Sequence, residues 1–450
     1  MSLLKNKKLA FVIILNTIFL NSFSLADNNS MSKINTGLSF SMLERDFQGI
    51  NEDSYFDFIR SSILTQPEFK YANSNVEEKN QSLKLARRQR FPELSMRVIN
   101  DKVIDREVSD FSSIRKRQDD SFDAAIEISQ PLYNGGSIKG QIKKSITDQS
   151  NSIIERRNTI SQLILDANEI YLAAVKSNIL YNRAKELLNE IDPYLIKVKE
   201  RVNLGISDPI EFAVFSIKYN DLKSKLQILK TNRDRDTGIF EYFFERKFEN
   251  YFLPNVFVPL VKLDKKNEAY NVKSSRLNYQ SSVYDTDIVK GEFRPKFGFN
   301  SRYTVYDLDE NKNDSDIRGG IYFSMPIFTF GRGSAKISAS KAKANASKMS
   351  IDIERKTDEA TENEIVNLIA SSLNTRNEIY SSLNDTKIQA KIIKDRLDST
   401  SFLPQSYVES GLQELNILER MLNTEISLLH GYFLYLHQNQ LLNNHLRISL

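Results

Sequence analysis

The chain has 450 residues, with 62 Lys and Arg against 58 Asp and Glu and a formal charge of +4. That balance implies no nucleic-acid or other polyanion partner, and a mean hydropathy of -0.42 excludes a polytopic helical membrane protein. The absence of Cys removes disulfides, thiol catalysis, thiolate metal sites and a lipidated N-terminal cysteine, while only 15 Gly and 10 Pro favour long uninterrupted helices.

At the front, Lys5, Lys7 and Lys8 precede an apolar run from Leu9 to Leu20 and a polar stretch ending Ser24-Leu25-Ala26. This pattern predicts a secretory signal peptide over 1–26 and an exported chain starting at Asp27.

The remainder reads as two similar halves, 27–250 and 251–450. Ser129-Gln130-Pro131-Leu132-Tyr133-Asn134-Gly135-Gly136 recurs 195 residues later as Ser324-Met325-Pro326-Ile327-Phe328-Thr329-Phe330-Gly331, and Phe91-Pro92-Glu93-Leu94 is answered by Phe293-Arg294-Pro295-Lys296-Phe297. Each half carries two strands with period-two alternation, at about 91–104 and 121–133, then at about 293–306 and 316–328. Phe122, Ile126, Phe297, Phe299, Ile321 and Phe323 fall on apolar faces; Arg97, Glu127, Arg302 and Arg318 fall on polar ones. The polar connections Asp105 to Asp120 and Asp307 to Ser315 read as exposed loops.

A helical hairpin follows each strand pair, over 137–250 and 334–447, and an equatorial segment with a helix occupies 251–292. Ile146, Ile153, Ile160, Ala167, Ala174, Tyr181 and Leu188 recur every seventh position, which is coiled-coil periodicity. In the second hairpin Ala335, Ala339, Ala342, Ala346, Met349 and Ile353 form a stripe of mostly small residues that admits a closely approaching helix. The first hairpin is expected to turn at Leu204-Gly205-Ile206 and the second at Ser410-Gly411-Leu412, with the helices bounded by 403 and 412.

Strands of about ten residues with one oily and one polar face, on an exported chain, suit an outer-membrane barrel with a wet interior. Four strands cannot close one, since the smallest single-chain barrels use eight; three copies give twelve. No chemistry competes with this reading. His430, His437 and His445 are spaced by seven and eight, not by the four that sets two ligands on one helix face. Gly331-Arg332-Gly333-Ser334 lacks the phosphate-loop spacing, and no nucleophile elbow occurs, so neither an enzyme nor a cofactor is expected.

The order of Gln66-Pro67-Glu68-Phe69, Phe91-Pro92-Glu93-Leu94-Ser95, the Gln130-to-Gly136 turn, long helices and a second copy of the pattern resembles the TolC family of outer-membrane efflux proteins. The Arg201-to-Ser207 segment resembles that family's helix-hairpin tip. The resemblance implies an α+β membrane protein with an internal two-fold repeat. It would be a homotrimeric channel-tunnel with a shared 12-stranded β-barrel in outer-membrane lipid and a long antiparallel α-helical barrel in the periplasm. It also implies a place in drug efflux or type I secretion, with a periplasmic adaptor and an inner-membrane transporter as partners. Pro131, Gly135, Gly136, Pro326 and Gly331 would form the strand-to-helix turns. Leu204, Gly205, Ile206, Ser410, Gly411 and Leu412 would be the adaptor-docking tips, and Glu211, Asn416 and Glu419 would line a periplasmic gate. A periplasmic adaptor is the alternative, but it needs one hairpin between small β domains. A trimeric surface protein needs a long passenger sequence beyond the barrel.

Overall fold

The computed structural model describes residues 33–35, 50–102, 104, 120–249, 251–259, 267–308, 314–397 and 404–448. The expected signal peptide, residues 105–119 and 309–313 of the outer connections, and the connection at 398–403 lie outside the described residues. In chain order the elements are β1 (Lys33–Asn35), β2 (Ile50–Asn51), α1 (Glu52–Ile63), α2 (Pro67–Arg88), β3 (Glu93–Lys102), β4 (Asp120–Asn134), α3 (Ser137–Asn203) and α4 (Pro209–Phe244). They continue as β5 (Pro254–Asn255), β6 (Phe257–Pro259), α5 (Tyr270–Glu292), β7 (Lys296–Val305), β8 (Ser315–Ser324), α6 (Arg332–Leu397), α7 (Pro404–Gln438) and α8 (Leu442–His445).

Four of these strands form one antiparallel sheet in the order β3-β4-β7-β8. Period-two alternation assigns the faces. Leu94 and Met96 stand opposite Ile128 and Ile126, and Phe297 and Phe299 stand opposite Phe323 and Ile321. On the other face Glu127 and Arg302, also directly opposite, form an ion pair at 3.3 Å. Every residue of β3 is exposed, and Ile321 and Phe323 are 78% and 70% exposed. The sheet therefore has no core beneath it within one chain. Two small pairings, β1 with β6 and β2 with β5, lie apart from it.

The two strand-to-helix turns differ in one respect from the expected ranges. β4 continues through Pro131 to Asn134, with a bulge between Pro131 and Tyr133, because β7 pairs with it down to Lys296. β8 stops at Ser324, short of Pro326 and of the expected 328. Its one neighbour among the described residues, β7, ends its ladder there at Lys296, and among those residues none pairs with 325–329. After β4 the chain enters α3 through two left-handed residues, Gly135 (φ 60°) and Gly136 (φ 90°). A Cβ on Gly135 would sit 2.1 Å from the Gly291 carbonyl oxygen, so this turn needs glycine for both conformation and space. The matching turn before α6 uses Phe330 (φ 48°) and Gly331 (φ 81°).

α3 is the spine. At 67 residues it is roughly 100 Å long, passes through Pro193 unbroken, and packs against α1, α2, α4, α5, α7 and α8. Of its expected heptad series, Ile160, Ala167 and Ala174 are fully buried, whereas Ile146, nearer the sheet, is exposed. α4 buries Phe215, Leu222, Leu229 and Asp236, again every seventh residue. In the alanine stripe of α6, Ala335, Ala339, Ala342, Ala346, Met349 and Ile353 are exposed, while α6 turns Ala344, Ile351, Ile365 and Ile369 inward. Among the described residues the stripe is left uncovered. α7 starts at Pro404 rather than 412, since Pro is favoured in a first helical turn.

An aromatic cluster lies where α1, α3, α4 and the 251–259 segment meet. Phe58, Tyr171, Phe240, Phe244, Phe248 and Tyr251 stack with ring centroids 4.5 to 6.1 Å apart. The Tyr55 hydroxyl donates to Asn168 Oδ1 at 2.5 Å, and that of Tyr171 to the Phe252 carbonyl at 2.8 Å. Phe240 is fully buried at the centre of the cluster. Phe240→Ala is expected to cost about 3–5 kcal/mol, read as a lowered thermal midpoint by circular dichroism in detergent. Tyr242→Ala, at an 88% exposed position two residues away, should change it little.

Candidate functional site

Three features of the chain bear on function: the amphipathic sheet, its turns into helices, and the far ends of the helical hairpins. β3, β7 and β8 are each ten residues long, the length of a tilted strand crossing a bilayer's hydrocarbon core. Among the described residues no helix is long and apolar enough to cross a membrane.

The far end of the first hairpin is described in full. α3 ends in a Schellman motif, with the Ile206 N–H donating to the Arg201 carbonyl at 2.9 Å and the Gly205 N–H to that of Val202 at 3.0 Å. Gly205 holds the left-handed position (φ 68°) that this motif requires. Asp208 then caps α4 by accepting from the Ile210 N–H at 2.8 Å, and Pro209 opens its first turn. The result is a tight turn that points Leu204, Ile206 and Ile210 at solvent, each at least 60% exposed.

α6 ends at Leu397 and α7 begins at Pro404, and the connection between them lies outside the described residues. Ser410, Gly411 and Leu412 lie inside α7, not at a turn. Ser410 and Gly411 are buried, and a Cβ on Gly411 would lie 2.5 Å from the Leu187 methyl carbons of α3. Gly411 is therefore a close-packing position between helices.

Charged pairs join the two hairpins just above these ends. Lys218 and Lys225 of α4 meet Glu409 and Glu419 of α7 at 3.3 and 3.0 Å, Arg183 of α3 meets Glu414 at 2.8 Å, and the Tyr407 hydroxyl donates to Glu190 at 2.5 Å. The order of these pairs makes α4 and α7 parallel. It also separates the expected gate residues into tiers. Asn416 and Glu419 lie level with the stretch around Lys225, whereas Glu211 sits in the first turn of α4, roughly 15–20 Å further along at 1.5 Å per residue. Glu211 and Asn416 are exposed; Glu419 shares its charge with Lys225. The pairs themselves connect residues about two hundred positions apart, and no local spacing in the sequence signals them.

The histidines hold no metal cluster among the described residues. His437 is half-buried, with Nδ1 2.7 Å from Ser161 Oγ and its ring 5.7 Å from that of Tyr270, while His445 packs edge-on against Phe56 and Tyr432.

No family model matches the sequence, and no curated protein matches it. Solved structures do. The Campylobacter jejuni CmeC outer membrane channel aligns over 93% of this chain and 90% of its own at a TM-score of 0.77 and 14% identity. The outer membrane protein VceC of Vibrio cholerae aligns over 84% and 96% at 0.68 and 11%. The Neisseria gonorrhoeae MtrE outer membrane channel aligns over 92% and 96% at 0.62 and 11%. The chain has the fold of the TolC-family outer-membrane channels. This TolC-type fold extends over 90 to 96% of the length of these three solved channels.

Burial lowers the His437 imidazole from its ordinary 6.5 to about 4, with Asp166 opposing the shift. The unfolded ring takes up a proton near pH 6.5 and the folded ring only near 4. Folding thus favours the neutral form, and this contribution is complete above pH 6.5 and lost as the pH falls towards 4. The loss amounts to about 3 kcal/mol. His437→Gln is expected to flatten the fall in thermal midpoint between pH 6.5 and 4, followed by circular dichroism.

Proposed function

We propose that this protein is an outer-membrane export channel built on a two-fold internal repeat. Three copies share a 12-stranded barrel in the lipid and continue it as a helical tunnel through the periplasm. The observation that carries the reading is the sheet. Its four strands expose an apolar face and, among the described residues, leave β3 and β8 without outer partners, an arrangement that hydrocarbon tolerates only when the edges pair with further strands. The TolC-type fold supports the same reading, as does the exposed small-residue stripe of α6, which suits a helix from a neighbouring copy.

In this reading the channel gives substrates passive passage outward from a periplasmic adaptor and an inner-membrane transporter. The exposed Leu204-Gly205-Ile206 turn is the docking tip of the first hairpin; Ser410, Gly411 and Leu412 support the second from within. The connections 105–120 and 307–315 lie at the outer surface. Glu211, Asn416 and Glu419 line the periplasmic aperture in two tiers, and three-fold symmetry repeats each acid around one axis, which favours cations.

Light scattering on detergent-solubilised protein should give the mass of three protomers; a folded, stable monomer would remove the shared barrel. In planar bilayers, Glu211→Gln is expected to weaken cation selectivity more than Glu419→Gln does, because Lys225 already offsets Glu419. Unchanged selectivity in the double variant would assign the constriction to other residues.

A further inference from the structure

The shared barrel leaves open how one copy's edge meets the next, and the pairing inside a single chain supplies the answer. Moving every β3 position by 203 and every β4 position by 195 converts each β3–β4 pair into a β7–β8 pair. Glu93 opposite Ser129 becomes Lys296 opposite Ser324, and Lys102 opposite Asp120 becomes Val305 opposite Ser315, with all pairs between them obeying the same rule. The offset of 195 also carries the left-handed pair Gly135 and Gly136 onto Phe330 and Gly331. The same relation can be applied to the joint between the hairpins, where β4 meets β7. β4 then becomes β8, β7 becomes β3, and the β3 so generated belongs to another copy.

Resting on the shared-barrel reading, we propose that β8 of one copy pairs antiparallel with β3 of the next in a single register, with Ile321 opposite Asn100, Phe323 opposite Val98 and Met325 opposite Met96. These pairs derive from Ile126 with Tyr303, Ile128 with Ser301 and Gln130 with Phe299. The bulge between Pro131 and Tyr133 carries over as well, bringing Phe328 opposite Leu94.

Side-chain character plays no part in that derivation, so it serves as a check. A register off by one residue turns every side chain of the strand to the wrong face. The derived register instead sets Phe323 on Val98, Met325 on Met96 and Phe328 on Leu94, apolar on apolar, on the face that carries Ile126 and Phe299. In one chain all six of these residues are exposed, from 45% at Met325 to 73% at Phe328. The register also accounts for the short β8. Residues 325–329, which have no strand partner within the chain, become the continuation of β8, as 130–134 continue β4. A ring of three copies then contains six hairpin-to-hairpin joints of one stagger, three within chains and three between them.

The protein has no Cys, so engineered pairs report without background. Opposed residues in an antiparallel pair have Cα atoms about 4.5–5.5 Å apart, inside the range of about 4.4–6.8 Å that a disulfide accepts, whereas diagonal neighbours lie about 7–8 Å apart. The experiment compares Val98→Cys/Phe323→Cys with Met96→Cys/Phe323→Cys and Asn100→Cys/Phe323→Cys in the full chain. Each is oxidised in detergent with copper–phenanthroline, run on non-reducing gels, and weighed by light scattering before oxidation. The 98/323 variant is expected to give a covalent ladder ending at three chains, with at least about fivefold more product than either other variant. Preferential cross-linking of 96/323 or 100/323 overturns the register while leaving the shared barrel standing. A three-protomer mass without cross-links in any variant overturns the pairing of these two edges. A single-protomer mass in the unmodified chain overturns the shared barrel itself.

Discussion

Main-chain hydrogen bonding at the rims of the β3-β4-β7-β8 sheet is the constraint from which the rest of this molecule follows. A strand edge carries a row of N–H and C=O groups that water can satisfy and hydrocarbon cannot. Here the edges belong to a sheet whose apolar face is bare, so the surface that seeks lipid and the groups that lipid cannot satisfy are carried by the same strands. In the proposed function, closure by further copies resolves the conflict, and the glycine turns redirect the chain out of the sheet into helices that would continue the same wall. Gly135, tucked against the Gly291 carbonyl, holds that transition at the start of α3.

Packing differs in kind along the long axis. Around Phe240 it is aromatic and closed by buried hydroxyl bonds such as Tyr55 to Asn168. Towards the far ends Ile191, Phe215 and Val408 are fully buried, and Lys218–Glu409 and Lys225–Glu419, whose side chains remain 30 to 52% exposed, join the hairpins at the surface. Pairs of that exposure contribute about 0–1 kcal/mol each, so the contact between the hairpins near the end proposed to meet other proteins rests on the buried side chains more than on the charges.

Much of this arrangement was legible in the chain itself because it rests on short-range rules. Period-two alternation placed all four strands and their faces, Pro131 with Gly135 and Gly136 marked the turn, and Leu204-Gly205-Ile206 carried the glycine that a Schellman ending needs. The second hairpin end was misplaced for an equally physical reason. Gly411 looks like a helix stop, but its lack of a side chain serves contact with Leu187, and sequence alone cannot distinguish a glycine that bends the chain from one that lets another helix approach. The Ala335-to-Ile353 stripe was legible as a face of mostly small residues, but periodicity does not say whose helix covers it, and within one chain it is exposed. Contacts such as Arg183 with Glu414 depend on the parallel alignment of distant helices and left no local trace.

Phe330 occupies a left-handed conformation where the first half of the chain has glycine, at a backbone cost of about 1–2 kcal/mol. Its ring meets that of Phe328 edge-on at 4.6 Å, but the residue is 89% exposed, so little burial among the described residues offsets that cost. Aromatic rings at the rim of a lipid-facing barrel settle at the boundary between acyl chains and headgroups. In the proposed barrel Phe328 and Phe330, with Tyr133 beside the companion turn, would act as a depth gauge, setting how far it sinks into the bilayer and so how much of the helical length is left to reach across the periplasm.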